Sequence, residues 1–459
     1  MHPRLAAVVK AYDVRGRSPE QLDASLARAL GAAFADETGI AGADGTPGGR
    51  AVVGRDMRTS SPEIAGAIAD GIRSRGADVV DIGLASTDML YCASGVLDLP
   101  GVMVTASHNP PGDNGLKMCR AGARPIGIDT GLRAMAEAAS ELLDKSPAEP
   151  TGALESLDFL ETYVATLLRI APVHGRPLKV AIDAGNGMAG HTVPPVFDAL
   201  RAAGNDIEVI PLYLELDGTF PNHEANPLDH TTLVDLQAAV RENGADLGLA
   251  FDGDADRCFV IDEKGDVVAP SAITGLIATR ALAVEPGATI LYNVITSKAV
   301  PEIVTERGGT AVRTPVGHSL IKAEMARTGA AFGGEHSGHF YFRDFYLADS
   351  GMLAALHVLG ALGEKDRPLS DLMAEFSRYV ASGEINSRVD DVHAVIERVA
   401  EAYSDRPQDR LDGLTVDVEG GWFNVRPSNT EPLLRLNVEG ADDETMARVR
   451  DEVLAIIRG

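Results

Sequence analysis

The chain has 459 residues, 45% hydrophobic and 24% charged, which is enough for about three or four domains of ordinary globular composition and excludes a disordered chain. A formal net charge of −26 argues against broad binding to nucleic acid or to an anionic membrane and favours solubility. Cys92, Cys119 and Cys258 are odd in number and widely spaced, which suits a reducing compartment and neither a disulfide framework nor a zinc site. Residues 1–12 lack the apolar core and cleavage pattern of a signal peptide, and no later run is long enough to span a bilayer, so the expectation is a cytoplasmic protein.

Apolar strands alternate with amphipathic helices along the chain, which predicts α/β layers. In chain order, strands are expected at 51–54, 102–105, 180–183, 245–251 and 290–294. Helices are expected at 62–75, capped by Ser60 or Ser61 and stopped by Gly76, at 231–242 and at 444–457. A Ser, Pro, Ala and Gly stretch at 145–155 suggests a first domain boundary; a second falls just after residue 257, and a third lies near 378–384. The expected domains are therefore 1–150, 151–257, 258–376 and 377–459.

Two short segments carry chemistry. Thr105-Ala106-Ser107-His108-Asn109-Pro110 follows the apolar run 102–104, and the Pro- and Gly-rich residues 109–115 forbid an immediate helix, so the Ser107 hydroxyl is displayed on a stiff loop. Serine is a poor nucleophile unless a base, a metal or stored phosphate changes its chemistry, and His108, Lys117 and a distant acidic loop are the candidates. That loop, Asp252-Gly253-Asp254-Ala255-Asp256-Arg257, leaves a buried strand and offers three alternating carboxylates, a ligand set for a hard cation such as Mg2+. Asp252, Asp254, Asp256 and Glu263 also match positions 1, 3, 5 and 12 of a calcium loop, which keeps a binding module open. Arg257 stands where that loop needs glycine, however, and 258–262 reads as strand rather than as loop and helix. Alone, either segment is more often an ordinary polar turn than a site.

Together they carry a resemblance. From Ala11-Tyr12-Asp13-Val14-Arg15-Gly16, through the serine and DGDADR loops, to Gly333-Gly334-Glu335-His336-Ser337-Gly338-His339 and Arg426-Pro427-Ser428-Asn429-Thr430-Glu431-Pro432, the chain resembles the α-D-phosphohexomutases, the phosphomannomutase and phosphoglucomutase group. The resemblance implies three mixed α/β layered domains followed by a smaller α+β C-terminal domain around a central active-site cleft. It implies that Ser107 is phosphorylated and that its phosphate shares one Mg2+ with Asp252, Asp254 and Asp256. Phosphoserine would pass its phosphoryl group to a hexose 1- or 6-phosphate, and the resulting hexose 1,6-bisphosphate would turn around and return its other phosphate. Arg257 suits the charge of the moving group, while Lys117, His108 and His339 are the candidates for proton transfer.

By the same resemblance, Glu335 and Ser337 look like the sugar-binding loop, and Arg426, Ser428, Asn429 and Thr430 like a loop for the nonreacting phosphate. Tyr12, Arg15 and His318 resemble further contributors. His336 marks a phosphomannomutase-like variant, where phosphoglucosamine mutases commonly carry Gln. Asn293-Val294-Ile295 lies where relatives carry a phosphate-contacting lysine, and Lys298 is too displaced to take that role, so the contact is unassigned. The reading is an isomerase acting on hexose phosphates, mannose first and glucose also, as a monomer or homodimer, with phosphoglucosamine mutase the nearest alternative. A serine-dependent phosphatase and the calcium module are the alternatives from other classes.

Overall fold

A computed structural model describes residues 1–42, 48–428 and 433–459, apart from the side chains of His318 and Ser319. The chain forms two compact units, Met1–Val267 with Gly338–Leu369, and Val268–Ser337 with Ser370–Gly459.

In the first unit one sheet runs in the order Val14–Arg17, Asp113–Arg120, Gly101–Val104, Arg50–Arg55, Asp78–Leu84, Leu154–Ser156, with Arg124–Pro125 beside Asp113–Arg120. Its inner strands are parallel, whereas Asp113–Arg120 runs antiparallel to both neighbours. Parallel strands covered on both faces read as continuous apolar runs, which is why 51–54 and 102–104 were legible. Helices Ala24–Thr38, Ser61–Arg73 and Arg133–Leu143 pack Leu30, Phe34, Ile64, Ile68 and Met135 into its core. Ser60 holds the cap position of the second of these without a side-chain cap bond. Asn114 Nδ2 instead donates to the hydroxyls of Ser60 and Ser61 at 2.8 and 2.9 Å, tying the helix start to the strand that follows the serine loop.

The same unit holds a second sheet in which Leu247–Phe251 lies parallel to Leu178–Asp183 and antiparallel to Cys258–Asp262, with Ile207–Leu212 beyond. The expected strand 245–251 starts late because Asp246 turns its carboxylate to the Lys179 amide at 2.8 Å. The helix expected at 231–242 begins as a 3-10 turn, His230–Leu233, capped by Asp229, and is α-helical over Val234–Asn243. A hairpin of Phe340–Phe342 and Ala348–Asp349 leads to helix Gly351–Gly363, buried along nearly its whole length and capped by Ser350.

In the second unit Thr289–Asn293 lies between Thr310–Thr314 and Phe332–Gly334, all parallel, with helices Pro270–Val284, Ala299–Glu306 and His318–Thr328. The C-terminal part is an antiparallel sheet in the order Val380–Arg388, Leu433–Gly440, Gly421–Pro427, Leu414–Val418, Gln408–Asp409. Helices Val392–Ala402 and Asp443–Arg458 cover it and bury Val395, Val399, Phe423, Leu436, Val449 and Val453. The side chains of Asp391 and Asp442 cap these helices, each cap contributing about 1 kcal/mol. The architecture is thus three α/β layers and a smaller α+β part, as expected.

Candidate active site

Gly101–Val104 and Asp113–Arg120 pair antiparallel, and the segment joining them carries Ser107. Ser107 is in the left-handed region at φ 52°, with its amide donating to Thr105 Oγ1 at 2.9 Å. Arg15, held by Asp13 at 2.7 Å, donates from Nη1 to Asn109 Oδ1 at 2.8 Å and so braces the same loop from the first strand. Tyr12, next to Asp13 in sequence, is half-buried.

The acidic loop is the hairpin between two buried strands, Leu247–Phe251 and Cys258–Asp262. A calcium loop would lead into a helix, so the strand after Arg257 removes that reading. Gly253 presses on the serine loop: a Cβ there would stand 2.3 Å from the Ser107 carbonyl oxygen. From its other side, a Cβ on Gly187 would stand 2.7 Å from the Gly253 carbonyl oxygen. The wedge brings Ser107 Oγ, which donates to Asp252 Oδ2, to 2.9 Å from it, with Arg257 Nη2 at 3.4 Å. Gly253→Ala is expected to slow turnover about 10- to 100-fold by separating nucleophile and carboxylates, with secondary structure retained. Steady-state kinetics beside circular dichroism checks this, and an unchanged kcat would mean the wedge is dispensable.

Lys117, on strand Asp113–Arg120, reaches Asp254 Oδ2 at 2.7 Å and Asp256 Oδ2 at 2.5 Å. Asp252, Asp254 and Asp256 each present a carboxylate oxygen within 4.8 Å of the others. Among the described residues, Asp254 Oδ1 and Asp256 Oδ1 are buried without a hydrogen-bond partner. Buried carboxylate oxygens without a hydrogen-bond partner, beside the buried Ser107 hydroxyl, fit a hard divalent cation.

The charges in this pocket pull against burial. Burial and the Asp256 charge push the Asp252 carboxyl well above the usual carboxylate range, against Arg257. Burial opposes ionisation of Asp254 and Asp256 as well, yet Lys117 leads the attractions that hold both down, Asp256 to about 2. Burial disfavours the Lys117 ammonium, but these two carboxylates raise its pKa, so near neutral pH it is a charged donor. The Arg257 guanidinium and burial hold His108 well below its ordinary value. His108 Nδ1 lies 3.2 Å from Ser107 Oγ and also meets Arg257 Nη2. Burial lowers His339 to about 4 against the pull of Asp256, whose Oδ1 is 3.6 Å from its Nε2. Both imidazoles are therefore neutral near pH 7.

Ser107, His108, Lys117, Asp252, Asp254, Asp256, Arg257 and His339 thus meet in one buried cluster of the first unit. Tyr12 and Arg15 stand in the same unit, and the remaining described candidates stand in the second. Glu335 is buried at the carboxyl end of strand Phe332–Gly334, accepting from the Gly317 amide at 3.2 Å and lying 3.4 Å from Asn293 Nδ2. Ser337 is half-buried nearby in sequence, and the backbone of His318 opens helix His318–Thr328. Where a family lysine was sought, Asn293 is buried and holds Thr296 and Glu335, while Lys298 pairs with Asp417 at 2.5 Å. Arg426 is buried and donates to Glu384 at 2.7 Å, and Ser428 is half-buried; Asn429 and Thr430 lie outside the described residues.

Three residues escaped the sequence reading. Arg58, fully buried, lies against the serine loop. Thr87, first in helix Thr87–Leu97, donates from Oγ1 to Asp254 Oδ2 at 2.6 Å. Asp349, buried, has Oδ2 4.0 Å from His339 Nε2. Gly54-Arg55-Asp56-Met57-Arg58 does place an Asp and an Arg just beyond a legible strand, a signal that could have been weighed. Thr87 reads only as part of a helix start, and its partner is 167 residues away.

Profiles described as phosphoglucomutase/phosphomannomutase alpha/beta/alpha domains I, II and III and the C-terminal domain match residues 6–142, 158–265, 269–379 and 384–456. A phosphomannomutase of Salmonella typhimurium is 40% identical over 452 residues, covering 97% of both chains. A Xanthomonas campestris pv. campestris protein named for phosphohexose mutases is 40% identical, over 98% of this chain and 99% of its own. The crystal structure of a phosphoglucomutase/phosphomannomutase family protein from Burkholderia thailandensis superposes with a TM-score of 0.86 at 33% identity, covering 100% of this chain and 98% of that one. With all four profiles met in order, and with relatives this similar over nearly their full lengths, the chain belongs to the phosphoglucomutase/phosphomannomutase family.

Proposed function

We propose that this chain interconverts hexose 1-phosphates and hexose 6-phosphates, mannose phosphates first and glucose phosphates also, through a phosphoserine at Ser107 and a hexose 1,6-bisphosphate. The observation that carries the reading is the buried meeting of Ser107 Oγ with Asp252 and Arg257, two loops from different sheets converging on one hydroxyl. In the first half-reaction the bond between phosphorus and Ser107 Oγ breaks as a sugar hydroxyl oxygen bonds to that phosphorus, and the hydroxyl proton passes to a base. His339 and His108 are the proposed acceptors by their place beside Asp256 and the Ser107 hydroxyl, and the Lys117 ammonium suits the donor that protonates a leaving oxygen. Arg257 is aimed at the charge that spreads over the moving group. Asp252, Asp254 and Asp256 would hold Mg2+, which when bound neutralises phosphoryl charge and fixes the phosphate in line.

Glu335 and Ser337 are proposed as sugar contacts, and Arg426, Ser428, Asn429 and Thr430 as the grip on the nonreacting phosphate, with Tyr12, Arg15 and His318 assisting. Glu335 supports this, because a buried carboxylate oriented by the Gly317 amide is an acceptor of the kind that sugar hydroxyls donate to. We further propose four domains at 1–150, 151–257, 258–376 and 377–459, acting as a monomer or homodimer. Three buried free thiols suit a cytoplasmic setting. Among the described residues no helix is long and apolar enough to cross a membrane.

Phosphorus NMR of the protein with Mg2+ and a trace of hexose bisphosphate, run separately with mannose, glucose and glucosamine 1-phosphate, tests the reading. The expected result is a 6-phosphate signal with mannose and with glucose and no inorganic phosphate. Inorganic phosphate alone would make the protein a phosphatase, and conversion of glucosamine phosphate alone would move the substrate assignment.

A further inference from the structure

The Arg58 side chain is 0% exposed, and nothing in the proposed chemistry uses it. A guanidinium offers five N–H donors in a planar fork. Here Nη1 donates to the carbonyl oxygens of Pro110 at 2.7 Å and Asp113 at 3.0 Å, and Nη2 to those of Ser107 at 2.8 Å and Asn109 at 2.7 Å. The fork therefore gathers four carbonyls of one loop, the nucleophile's own among them. Its Nε stands 3.2 Å from Asp56 Oδ2, and Asp56 Oδ1 accepts from the Arg58 amide at 3.0 Å and from Ser61 Oγ at 2.5 Å. The Phe220 ring centroid lies 5.1 Å from the guanidinium carbon, and a Cβ on Gly218 would stand 2.6 Å from the Arg58 Cα, so the second sheet's loop closes over the fork. Burying a charged side chain so completely is costly unless each donor is used. The two terminal nitrogens converge on the curve of the loop that places Ser107 at φ 52°, while Nε faces the Asp56 carboxylate.

We propose that Arg58 is a positioning residue for phosphoryl transfer. Through the carbonyls of residues 107–113 it sets the loop curvature that aims Ser107 Oγ at Asp252 and Arg257, without touching substrate. The inference rests on the phosphoserine reading for its kinetic consequence and on loop geometry for its structural one. Lysine would keep the charge beside Asp56 but could not span four carbonyls from a single nitrogen. Phe220→Leu removes the ring against the fork while leaving the Asp56 pair in place.

The test compares the full-length wild type, Arg58→Lys and Phe220→Leu. Three quantities are measured: single-turnover phosphorylation of Ser107 by glucose 1,6-bisphosphate, followed by mass spectrometry; binding of Mn2+ and of mannose 6-phosphate; and hydrogen exchange of the amides in 105–114. Arg58→Lys is expected to slow Ser107 phosphorylation about 100-fold, and Phe220→Leu about fivefold, with both dissociation constants within about threefold of wild type. Exchange is expected to rise in 105–114 and not across the sheet. A folded Arg58→Lys that is phosphorylated at the wild-type rate overturns the proposal, as does a slowed one in which both ligands bind equally poorly. If Arg58→Lys does not fold, Phe220→Leu decides by the same criteria. A wild type that takes no phosphoryl group overturns the phosphoserine reading instead, and unchanged loop exchange in the variants would then separately overturn the role of Arg58.

Discussion

Ser107→Ala is expected to lower interconversion of mannose 1-phosphate and mannose 6-phosphate by at least about 10⁴-fold, because it removes the oxygen proposed to store the phosphoryl group between half-reactions. The change deletes one hydroxyl whose contacts are Asp252, Arg257 and His108, and leaves the loop's backbone bonds in place. The variant should therefore fold and still bind Mn2+ and sugar phosphate, so that the loss falls on kcat. Phosphorus NMR follows the conversion and intact-mass spectrometry the phosphoserine. A rate near wild type in protein shown by mass to carry alanine would sink the covalent mechanism.

Asp254→Asn is expected to have the next largest effect, a fall in kcat of about 100-fold and a Mg2+ requirement raised about 10-fold or more. Asp254 Oδ2 is already committed to Lys117 at 2.7 Å and Thr87 at 2.6 Å, while Oδ1 is buried with no hydrogen-bond partner among the described residues. An amide keeps the shape but loses a charge, and its NH2 must face either the ammonium or the cation, both of which repel it. A Mg2+ titration of the rate, with Mn2+ binding followed by electron paramagnetic resonance, measures both halves. An unchanged titration would take Asp254 out of the ligand set.

Much of this was legible because it is local. The apolar run at 102–104 followed by Pro- and Gly-rich residues announced a strand ending in a stiff turn, and 245–251 announced the strand, observed over Leu247–Phe251, that delivers the acidic loop. Strand 258–262 was visible for the same reason, and it disposed of the calcium template. What stayed hidden depends on partners remote in sequence. Ser60 and Ser61 promise a helix cap, yet their hydroxyls answer to Asn114. Lys117 was open as a general acid or base, and the two carboxylates that hold it charged lie more than a hundred residues further on. Arg58 reads as one more surface charge until the four carbonyls around it are seen.

The spacing of these partners also sets an order of assembly. Arg58 precedes Ser107 by 49 residues, so on a chain growing from its N-terminus the fork is available as soon as the serine loop emerges. Asp252 follows by 145 residues and Arg257 by 150. A nascent chain can therefore shape its nucleophile loop early, and the loop is chemically silent until the acidic hairpin has been made and docked. A chain arrested between residues 114 and 251 carries the serine loop and the Arg58 fork but none of the acidic hairpin, and so lacks the carboxylates and the guanidinium that meet the Ser107 hydroxyl in the finished fold.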